Sequence, residues 1–249
     1  MGQMNMKGTK VLQSFTCQVN ALHFSYGNKP IFSDANFKFE SGKIYGILGP
    51  NGIGKSTLLN ILFGQIKTDA GSINWQIKPE DMFYVRQHVS IPHALRIGEF
   101  IEMLFRINQG TFSLDAFFRS VPQEWHERLD RLLALTPSKA SFGDGKWATT
   151  LAALSLNQQF LALDEPTVAM DVHTRAGLWN CITERRKSGV TILVSSHYLE
   201  EFTDTVDGIL ALKHGKLNFF NSVQDFVAQT GIDAKAKNVN EAFMAYYNY

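Results

Sequence analysis

The chain has 249 residues, 45% of them hydrophobic, and a formal net charge of +1. This composition is too hydrophobic for a disordered chain, and the near-zero charge gives no electrostatic reason to expect a nucleic-acid partner. Two cysteines, Cys17 and Cys181, are too few for a disulfide framework, so we expect reduced thiols in a cytosolic protein.

The N-terminal segment lacks the features of a targeting or membrane sequence. Met1–Lys10 is polar and has no apolar stretch of the kind found in signal peptides, and Met6 stands where a myristoylation signal requires Ser or Thr. No run approaches the roughly 20 apolar residues that span a bilayer. We therefore expect residues 1–13 to be an extension of one soluble domain, residues 14–249, to which another chain supplies any membrane spans.

The first part of the chain predicts strands around one helix. Val19–Tyr26 alternates apolar and polar residues, as a half-buried strand does. Lys43–Leu48 is a short apolar run that predicts a buried strand, and Lys55–Phe63 follows as a helix. Met82–Val85 predicts a further strand.

The middle of the chain is helical in pattern from Ile97 to about Leu135. Pro122 and Pro137 punctuate this stretch. Apolar residues at three-and-four spacing mark the buried faces: Ile97, Phe100, Ile101, Leu104, Phe105, Trp125, Leu129, Leu132 and Leu133. We expect residues 89–156 to form a helical subdomain inserted into a sheet domain.

The last part of the chain returns to alternating strands and helices. Phe160–Leu163 and Val190–Val194 predict buried strands, and Val172–Lys187 predicts a helix that ends at Gly189. Because strands alternate with helices at both ends of the chain, the fold is predicted to be α/β, with a sheet that is parallel in part.

A phosphate-binding loop lies between the strand Lys43–Leu48 and the helix that follows it. Gly49–Ser56 fits the pattern G-x-x-x-x-G-K-[ST] at every fixed position, a match too complete for a chance glycine-rich turn. The glycines allow turns that bring backbone N–H groups to the phosphates. Lys55 is expected to reach the β- and γ-phosphates, and Ser56 to ligate Mg²⁺. The predicted nucleotide-binding residues of the loop are Gly49, Pro50, Asn51, Gly52, Ile53, Gly54, Lys55, Ser56 and Thr57.

Two acids and a histidine follow the ends of the last predicted strands. Asp164 and Glu165 end one buried strand, where ligands gather on open α/β sheets, and His197 follows the next. Asp164 is expected to hold Mg²⁺ directly or through water, and Glu165 to act as a general base, a role worth about 10²–10⁴-fold in rate. His197 is expected to contact the γ-phosphate. A solvated acidic turn and a structural histidine are the alternatives, and the phosphate loop upstream argues against both.

These motifs, in this order, resemble the ATP-binding subunits of ABC transporters over almost the whole chain, from about Val19 to Phe243. The resemblance implies a P-loop NTPase (RecA-like) sheet core with an N-terminal antiparallel β part and an inserted helical subdomain. It implies ATP and Mg²⁺ as cofactors. By the same resemblance Tyr26 stacks on adenine, Gln87 touches Mg²⁺ and relays the nucleotide state, and Asp171 lies on the loop that crosses the dimer interface.

The family's signature motif, usually Leu-Ser-Gly-Gly-Gln, is altered here to Ala-Ser-Phe-Gly-Asp at residues 140–144. The resemblance implies that Ser141 and Gly143 serve the γ-phosphate of ATP held by a second subunit. Phe142 adds bulk and would adopt a positive φ only at a cost, and Asp144 adds negative charge beside a polyphosphate. We expect closure of the two subunits to be retained but slower.

The resemblance implies an ATP-hydrolysing motor that works with a transmembrane permease subunit and a second ATP-binding subunit, identical or homologous. Such a subunit is cytoplasmic and peripheral on the cytoplasmic face of the membrane. Val239–Phe243 resembles the last element of bacterial exporter ATPases, with no regulatory domain after it, which favours export. The alternatives are a soluble ABC ATPase outside transport and a slow-hydrolysing regulatory subunit.

Four aromatic residues of the helical region allow two interpretations. They could form a groove for a coupling helix of the permease, or they could belong to the core. The residues are Phe105, Phe117, Phe118 and Trp125.

Overall fold

The computed structural model describes residues 14–230 and 239–248. The predicted extension, residues 1–13, and the features assigned to Met1–Lys10 lie outside the described residues. Among the residues that are described, no helix combines the length and the apolar character needed to cross a membrane.

Strands and helices alternate along most of the described chain. The strands are β1 (Thr16–Tyr26), β2 (Lys29–Glu40), β3 (Ile44–Leu48), β4 (Ala70–Trp75), β5 (Met82–Val85), β6 (Phe160–Asp164), β7 (Thr191–Ser196), β8 (Gly208–Lys213) and β9 (Lys216–Phe220). The α-helices are α1 (Lys55–Leu62), α2 (Ile97–Gln109), α3 (Leu114–Arg119), α4 (His126–Leu133), α5 (Phe142–Ser155), α6 (Val172–Lys187), α7 (Val223–Gln229) and α8 (Val239–Tyr247).

The strands form two sheets. The smaller sheet is antiparallel, in the order β2-β1-β4. The larger sheet has the order β5-β6-β7-β3-β8-β9 and is parallel except for β9, which pairs antiparallel with β8. The predicted α/β core and N-terminal antiparallel part are therefore confirmed.

The larger sheet separates two hydrophobic cores. Along β3, Ile44 and Leu48 face the core that the helical region shares, while Tyr45 and Ile47 face the core that α1 and the smaller sheet share. A strand that is buried on both faces needs apolar residues at every position, which explains why β3 and β6 are continuous apolar runs.

The helical region, α2 to α5, lies in the chain between the neighbouring strands β5 and β6. The single helical stretch that the pattern suggests is divided, because Gly110 ends α2 in the left-handed conformation and Pro122 and Pro137 lie in short 3₁₀ turns. These helices lie within the predicted subdomain, residues 89–156, whose exact limits stay a prediction.

The four aromatic residues considered for a docking groove belong to the core. Phe105 and Phe117 are buried in the core beside the helical region, and Phe118 and Trp125 pack against the same core. Trp125 meets Trp147 edge to face, with 5.3 Å between ring centroids. Burial of Phe105 and Phe117 contradicts the docking interpretation for these two rings. For Phe118 and Trp125, which are half-buried, a docking role stays a prediction.

Candidate active site

The phosphate loop lies where β3 ends and α1 begins, and two of its glycines have backbone angles that only glycine adopts easily. Gly52 has a φ of 77° and Gly54 a φ of 123°. A Cβ atom on Gly54 would also lie 2.7 Å from Cγ2 of Ile31. Gly49 needs space rather than an unusual angle, since its Cβ atom would lie 2.8 Å from Cγ2 of Ile53.

Lys55 is the first residue of α1 and only 5% exposed. Its Nζ donates hydrogen bonds to the carbonyl oxygens of Gly49 at 2.8 Å and Pro50 at 3.3 Å. The same Nζ lies 3.1 Å from Oε1 of Glu165. The ammonium group is therefore held between the phosphate loop and the end of β6, and its charge is balanced by a buried carboxylate.

Glu165 is the residue on which the predicted site converges. Its Oε2 accepts a hydrogen bond from Nε2 of Gln87 at 3.3 Å and lies 3.4 Å from Nδ1 of His197, although that nitrogen makes no well-formed hydrogen bond. The backbone of Glu165 has a φ of 46°, and its N–H is fixed by Oγ of Ser195 at 3.0 Å. A strained backbone at such a point is typical of functional sites.

Asp164 is recessed behind its neighbours. Its Oδ1 accepts a hydrogen bond from the hydroxyl of Ser195, and its Oδ2 accepts one from the hydroxyl of Tyr84 at 3.2 Å. Burial, together with the nearby Asp164 carboxylate, raises the pKa of Tyr84, so the phenol remains a donor at neutral pH.

One cavity of about 430 Å³ joins the predicted nucleotide residues. Its lining residues are Tyr26, Lys29, Ile31, Asn51, Gly52, Gly54, Lys55, Ser56, Thr57, Gln87 and Glu165. Tyr26 stands at its rim, 53% exposed, with its ring edge-to-face on Phe24 at 4.8 Å. A larger cavity of about 500 Å³ lies between α3, α5 and α6 and contains none of the predicted site residues. We therefore place the candidate site at the smaller cavity, which the predicted nucleotide-binding residues line.

The oxygen donors predicted for Mg²⁺ divide between the cavity and its back wall. Ser56 and Gln87 line the cavity, while Asp164 is almost completely buried behind Tyr84 and Ser195. Hydroxyl, amide and carboxylate oxygens are the hard ligands that Mg²⁺ prefers, and this ion commonly keeps several waters. The donor set fits Mg²⁺, with Asp164 in a position that suits contact through water.

The signature residues form a separate turn at the start of α5. Ser141 caps the helix: its Oγ accepts a hydrogen bond from the N–H of Asp144 at 3.0 Å and donates to Oδ2 of Asp144 at 2.7 Å. Phe142 is the first helical residue, and its φ is not positive. The expected backbone penalty at Phe142 is therefore wrong, because the position has ordinary helical geometry that any residue adopts.

Gly143 and Asp171 join this turn to the loop after Glu165. A Cβ atom on Gly143 would lie 2.5 Å from the carbonyl oxygen of Ala169, so only glycine fits there. Asp171 caps α6, accepting hydrogen bonds from the N–H of Thr174 at 2.9 Å and from its hydroxyl at 2.7 Å. Ser141, Gly143 and Asp171 do not line the 430 Å³ cavity. They form a second group, apart from the one around Glu165.

Lys146 is a residue of the site that the sequence analysis missed. It is 2% exposed, and its Nζ donates hydrogen bonds to the carbonyl oxygens of Asp164, at 2.8 Å, and of Arg86, next to Gln87. Burial lowers its pKa from 10.5 to about 8. The signal in the sequence is a lone lysine among apolar and small residues on α5, a helix buried along most of its length.

Comparisons with known proteins agree with this geometry. The family described as ABC transporter matches residues 32–168. The chain is 26% identical to Protein McbF of Escherichia coli, over 84% of this chain and 87% of that protein. It is 29% identical to the energy-coupling factor transporter ATP-binding protein EcfA1 of Thermotoga maritima, over 84% of this chain and 83% of that one. It is 30% identical to the Nod factor export ATP-binding protein I of Rhizobium leguminosarum bv. viciae, over 77% of this chain and 64% of that one.

Solved structures support the same fold. An ATP-binding subunit of an ABC transporter superposes with a TM-score of 0.78 at 21% identity, covering 92% of this chain and 98% of that one. A dimeric ATP-binding cassette bound to ADP and Pi superposes with a TM-score of 0.70 at 20% identity, covering 82% and 98%. Because the family match extends over more than half of the sequence, the chain belongs to the ABC transporter family, as a subunit that binds and hydrolyses ATP.

Proposed function

We propose that this chain is a motor subunit that dimerises around two Mg·ATP and drives substrate, in the export direction, through separate transmembrane subunits. The observation that carries the proposal is the convergence of Lys55, Gln87 and His197 on the buried carboxylate of Glu165, beside the phosphate loop. Hydrolysis of a phosphoanhydride requires cationic and hydrogen-bonding groups at the phosphates and a residue that orients the attacking water, and these residue types meet here.

The proposed chemistry assigns one task to each residue around the cavity. ATP lies with its adenine on Tyr26, and its phosphates are held by the loop Gly49–Thr57. Lys55 moves from Glu165 to the β- and γ-phosphates, and the freed Glu165 accepts a proton from the attacking water. His197 hydrogen-bonds the γ-phosphate. Ser56, Gln87 and, through water, Asp164 would hold Mg²⁺, which would supply charge neutralisation at the phosphates.

The second group of residues acts across the dimer in this proposal. Ser141 and Gly143 lie at the N-terminal turn of α5, a 14-residue helix whose dipole favours an anion. They would contact the γ-phosphate held by the partner, and Asp171 would lie at the interface between the two subunits. An arginine supplied in trans, which has a comparable role in related phosphoryl transfers, is worth about 10³–10⁵ in rate.

Export and membrane association rest on the family and on the name of one relative. The Nod factor relative is described as an export protein, and we propose the same direction for this chain. A transmembrane permease subunit should then co-purify with the tagged chain from solubilised membranes, with the chain on the cytoplasmic face. Recovery of the chain without any polytopic membrane protein would instead favour a soluble ABC ATPase outside transport.

The first test is size-exclusion chromatography of Glu165→Gln with and without Mg·ATP. Loss of the base should trap the closed pair, so we expect a dimer only when Mg·ATP is present. Glu184→Gln is the matched control, because Glu184 is an exposed glutamate on α6 whose ion pair, within the part of the chain that the structure describes, is with Lys187 alone. A Glu165→Gln chain that binds ATP and remains a monomer contradicts a clamp made of two copies and points to a different cassette as its partner.

A slow-hydrolysing regulatory subunit is the second candidate, and the altered signature turn favours it. Phe142 is 45% exposed, with its ring 5.5 Å from that of His88, and so adds bulk at the face offered to a partner. Steady-state ATPase activity of the chain alone separates the two candidates. Turnover that Glu165→Gln does not reduce further would support the regulatory reading.

A further inference from the structure

Arg128, on α4, connects three elements that the chain sequence keeps apart. One guanidinium nitrogen donates a hydrogen bond to Oδ1 of Asp144, at the start of α5, at 2.8 Å. Another donates to Oγ1 of Thr174, in the first turn of α6, at 2.8 Å. The guanidinium group also lies over the ring of Trp147, 4.4 Å from its centroid. Arginine suits this task, because its planar group carries several fixed donors and stacks on aromatic rings.

Asp144 is the residue whose charge this contact offsets. It replaces the glutamine of the usual signature motif, on the turn that also carries Ser141. Burial alone would raise the pKa of Asp144, but hydrogen bonds from Arg128 and Ser141 outweigh it and hold the pKa below its usual value. The carboxylate is therefore ionised at neutral pH, and without Arg128 it would present an uncompensated negative charge to a polyphosphate.

Thr174 extends the connection to the interface loop. Its hydroxyl accepts from Arg128 and donates to Oδ2 of Asp171 at 2.7 Å, while its N–H donates to Oδ1 of the same residue. The contact of Gly143 with Ala169 joins the same two segments at a second point. Asp144, Arg128, Thr174 and Asp171 thus form a continuous chain of hydrogen bonds from the signature turn to the start of α6.

We propose that Arg128 is a positioning residue for the trans half of the ATP clamp. It neutralises Asp144 and fixes the signature turn to the start of α6, so that Ser141, Gly143 and Asp171 meet the partner's ATP as one unit. This inference rests on the proposed function, in which that turn faces the phosphates of a second subunit. It also explains how the chain carries an acidic residue in place of the usual glutamine.

The test uses the Glu165→Gln chain and its Mg·ATP-dependent dimerisation. Arg128→Met should weaken the dimer about tenfold, a smaller effect than that of unpairing a fully buried interface charge, because this pair is partly exposed. The loss should shrink at high salt. Adding Asp144→Asn to Arg128→Met should restore most of the affinity, because no charge is then left unpaired. Arg131→Met is the matched control, since Arg131 lies on the same helix, is exposed and, among the described residues, forms an ion pair with Glu127 alone. It should leave the dimer unchanged.

Rescue by Asp144→Asn separates compensation of the Asp144 charge from packing against Trp147. If Arg128 served only to cover Trp147, the double variant would dimerise as poorly as Arg128→Met, and the proposal would be overturned. A second measurement needs no dimer: the carboxyl pKa of Asp144, followed by NMR in the monomer, should rise in Arg128→Met. An unchanged pKa also overturns the proposal. A Glu165→Gln parent that never dimerises contradicts the two-copy clamp, a failure distinct from either of these.

Discussion

Lys146 is a buried lysine that lies behind the candidate site and contacts the backbone of Arg86 and Asp164. Its ammonium group spans from α5 to the carbonyl oxygens of Arg86 and Asp164, so it touches the ends of both β5 and β6. Removing a charge from water is costly, and this cost is what lowers its pKa to about 8. The buried ammonium group therefore has a desolvation cost that lowers the free energy of unfolding. In return, its hydrogen bonds connect two neighbouring strand ends.

The stability of the protein should depend on pH through this residue. Between about pH 8 and pH 10.5 the unfolded chain still binds the proton that the folded chain has released. Unfolding then takes up a proton, so the free energy of unfolding contributed by Lys146 rises with pH in this window. Urea denaturation of the wild type and Lys146→Met at a series of pH values would check this.

Lys146→Met keeps the length of the side chain and removes its proton. The difference between the two chains isolates Lys146 from other lysines and tyrosines that titrate in the same range. We expect the free energy of unfolding of the wild type, minus that of the variant, to increase as pH rises from 8 to 10.5. A difference that is constant across this window would show that the lysine titrates normally.

At the level of elements, the start of α5 is fitted closely to the loop before α6. Gly143→Ala would place a Cβ atom 2.5 Å from the carbonyl oxygen of Ala169. Because the obstacle is backbone, one of the two segments must move, at a cost of about 1–3 kcal/mol. We expect lower thermal stability and weaker Mg·ATP-dependent dimerisation of the Glu165→Gln chain.

Gly145→Ala is the control for this change, two residues further along the same helix. Its Cβ atom would meet nothing closer than Cδ1 of Ile91, at 3.7 Å. Alanine is the better helix former by up to about 1 kcal/mol, so this variant should be as stable as the wild type or more so. Equal destabilisation by both substitutions would argue against the close approach at Gly143.

Phe142 tests the other departure from the usual signature motif. Its backbone is ordinary helix, so its effect on the site comes from its exposed ring alone. Phe142→Gly should raise the ATPase rate by making room for the phosphates of the partner. Leu114→Gly is the control, because Leu114 also opens a helix and is equally exposed, at 45%. If Phe142→Gly lowered the ATPase rate and Leu114→Gly did not, the idea that the Phe142 ring slows turnover by its bulk would be contradicted.

Some elements could be predicted from sequence and others could not, for identifiable reasons. The phosphate loop and the pair Asp164–Glu165 are contiguous, so their spacing alone identifies them. Strand β2 was not predicted, because Pro30 lies near its start and Asp34, with a φ of 59°, breaks its alternation. Helix α5 is buried on most sides, so it lacks the one-sided apolar pattern of a surface helix.

The contacts of the site were less predictable than its motifs. Arg128 reaches residues 16 and 46 positions away in sequence, and Lys146 reaches one 60 positions away. Contacts between residues so far apart in the sequence cannot be predicted from a local sequence pattern. The docking interpretation is wrong at Phe105 and Phe117 for a related reason. An amphipathic pattern shows which residues avoid water, and it does not show whether a partner chain or the protein's own core covers them.

For the whole molecule, the proposed function makes one chain alone incomplete, because the site residues fall into two separate groups. The group around Glu165 lines the cavity, and the group at Ser141, Gly143 and Asp171 does not. If the second group serves a partner, the ATPase rate per chain should rise with chain concentration and level off when all chains are paired. Turnover measured over a wide dilution series checks this, with Glu165→Gln as the blank. A rate per chain that is independent of concentration would place all the chemistry in the monomer.

The buried ion pair of Lys55 and Glu165 couples nucleotide binding to the reaction in the proposed mechanism. In the structure Nζ of Lys55 lies 3.1 Å from the carboxylate of Glu165, so the proposed base is occupied by an ion pair. In the proposed mechanism, a nucleotide whose phosphates are too few to reach Lys55 would leave this ion pair intact, and Glu165 would not activate water. A nucleotide that draws Lys55 away would free the base when its own terminal phosphate is in place. The number of phosphates on the nucleotide would thus decide whether Lys55 leaves Glu165. Lys55 would couple recognition of the nucleotide to activation of the base.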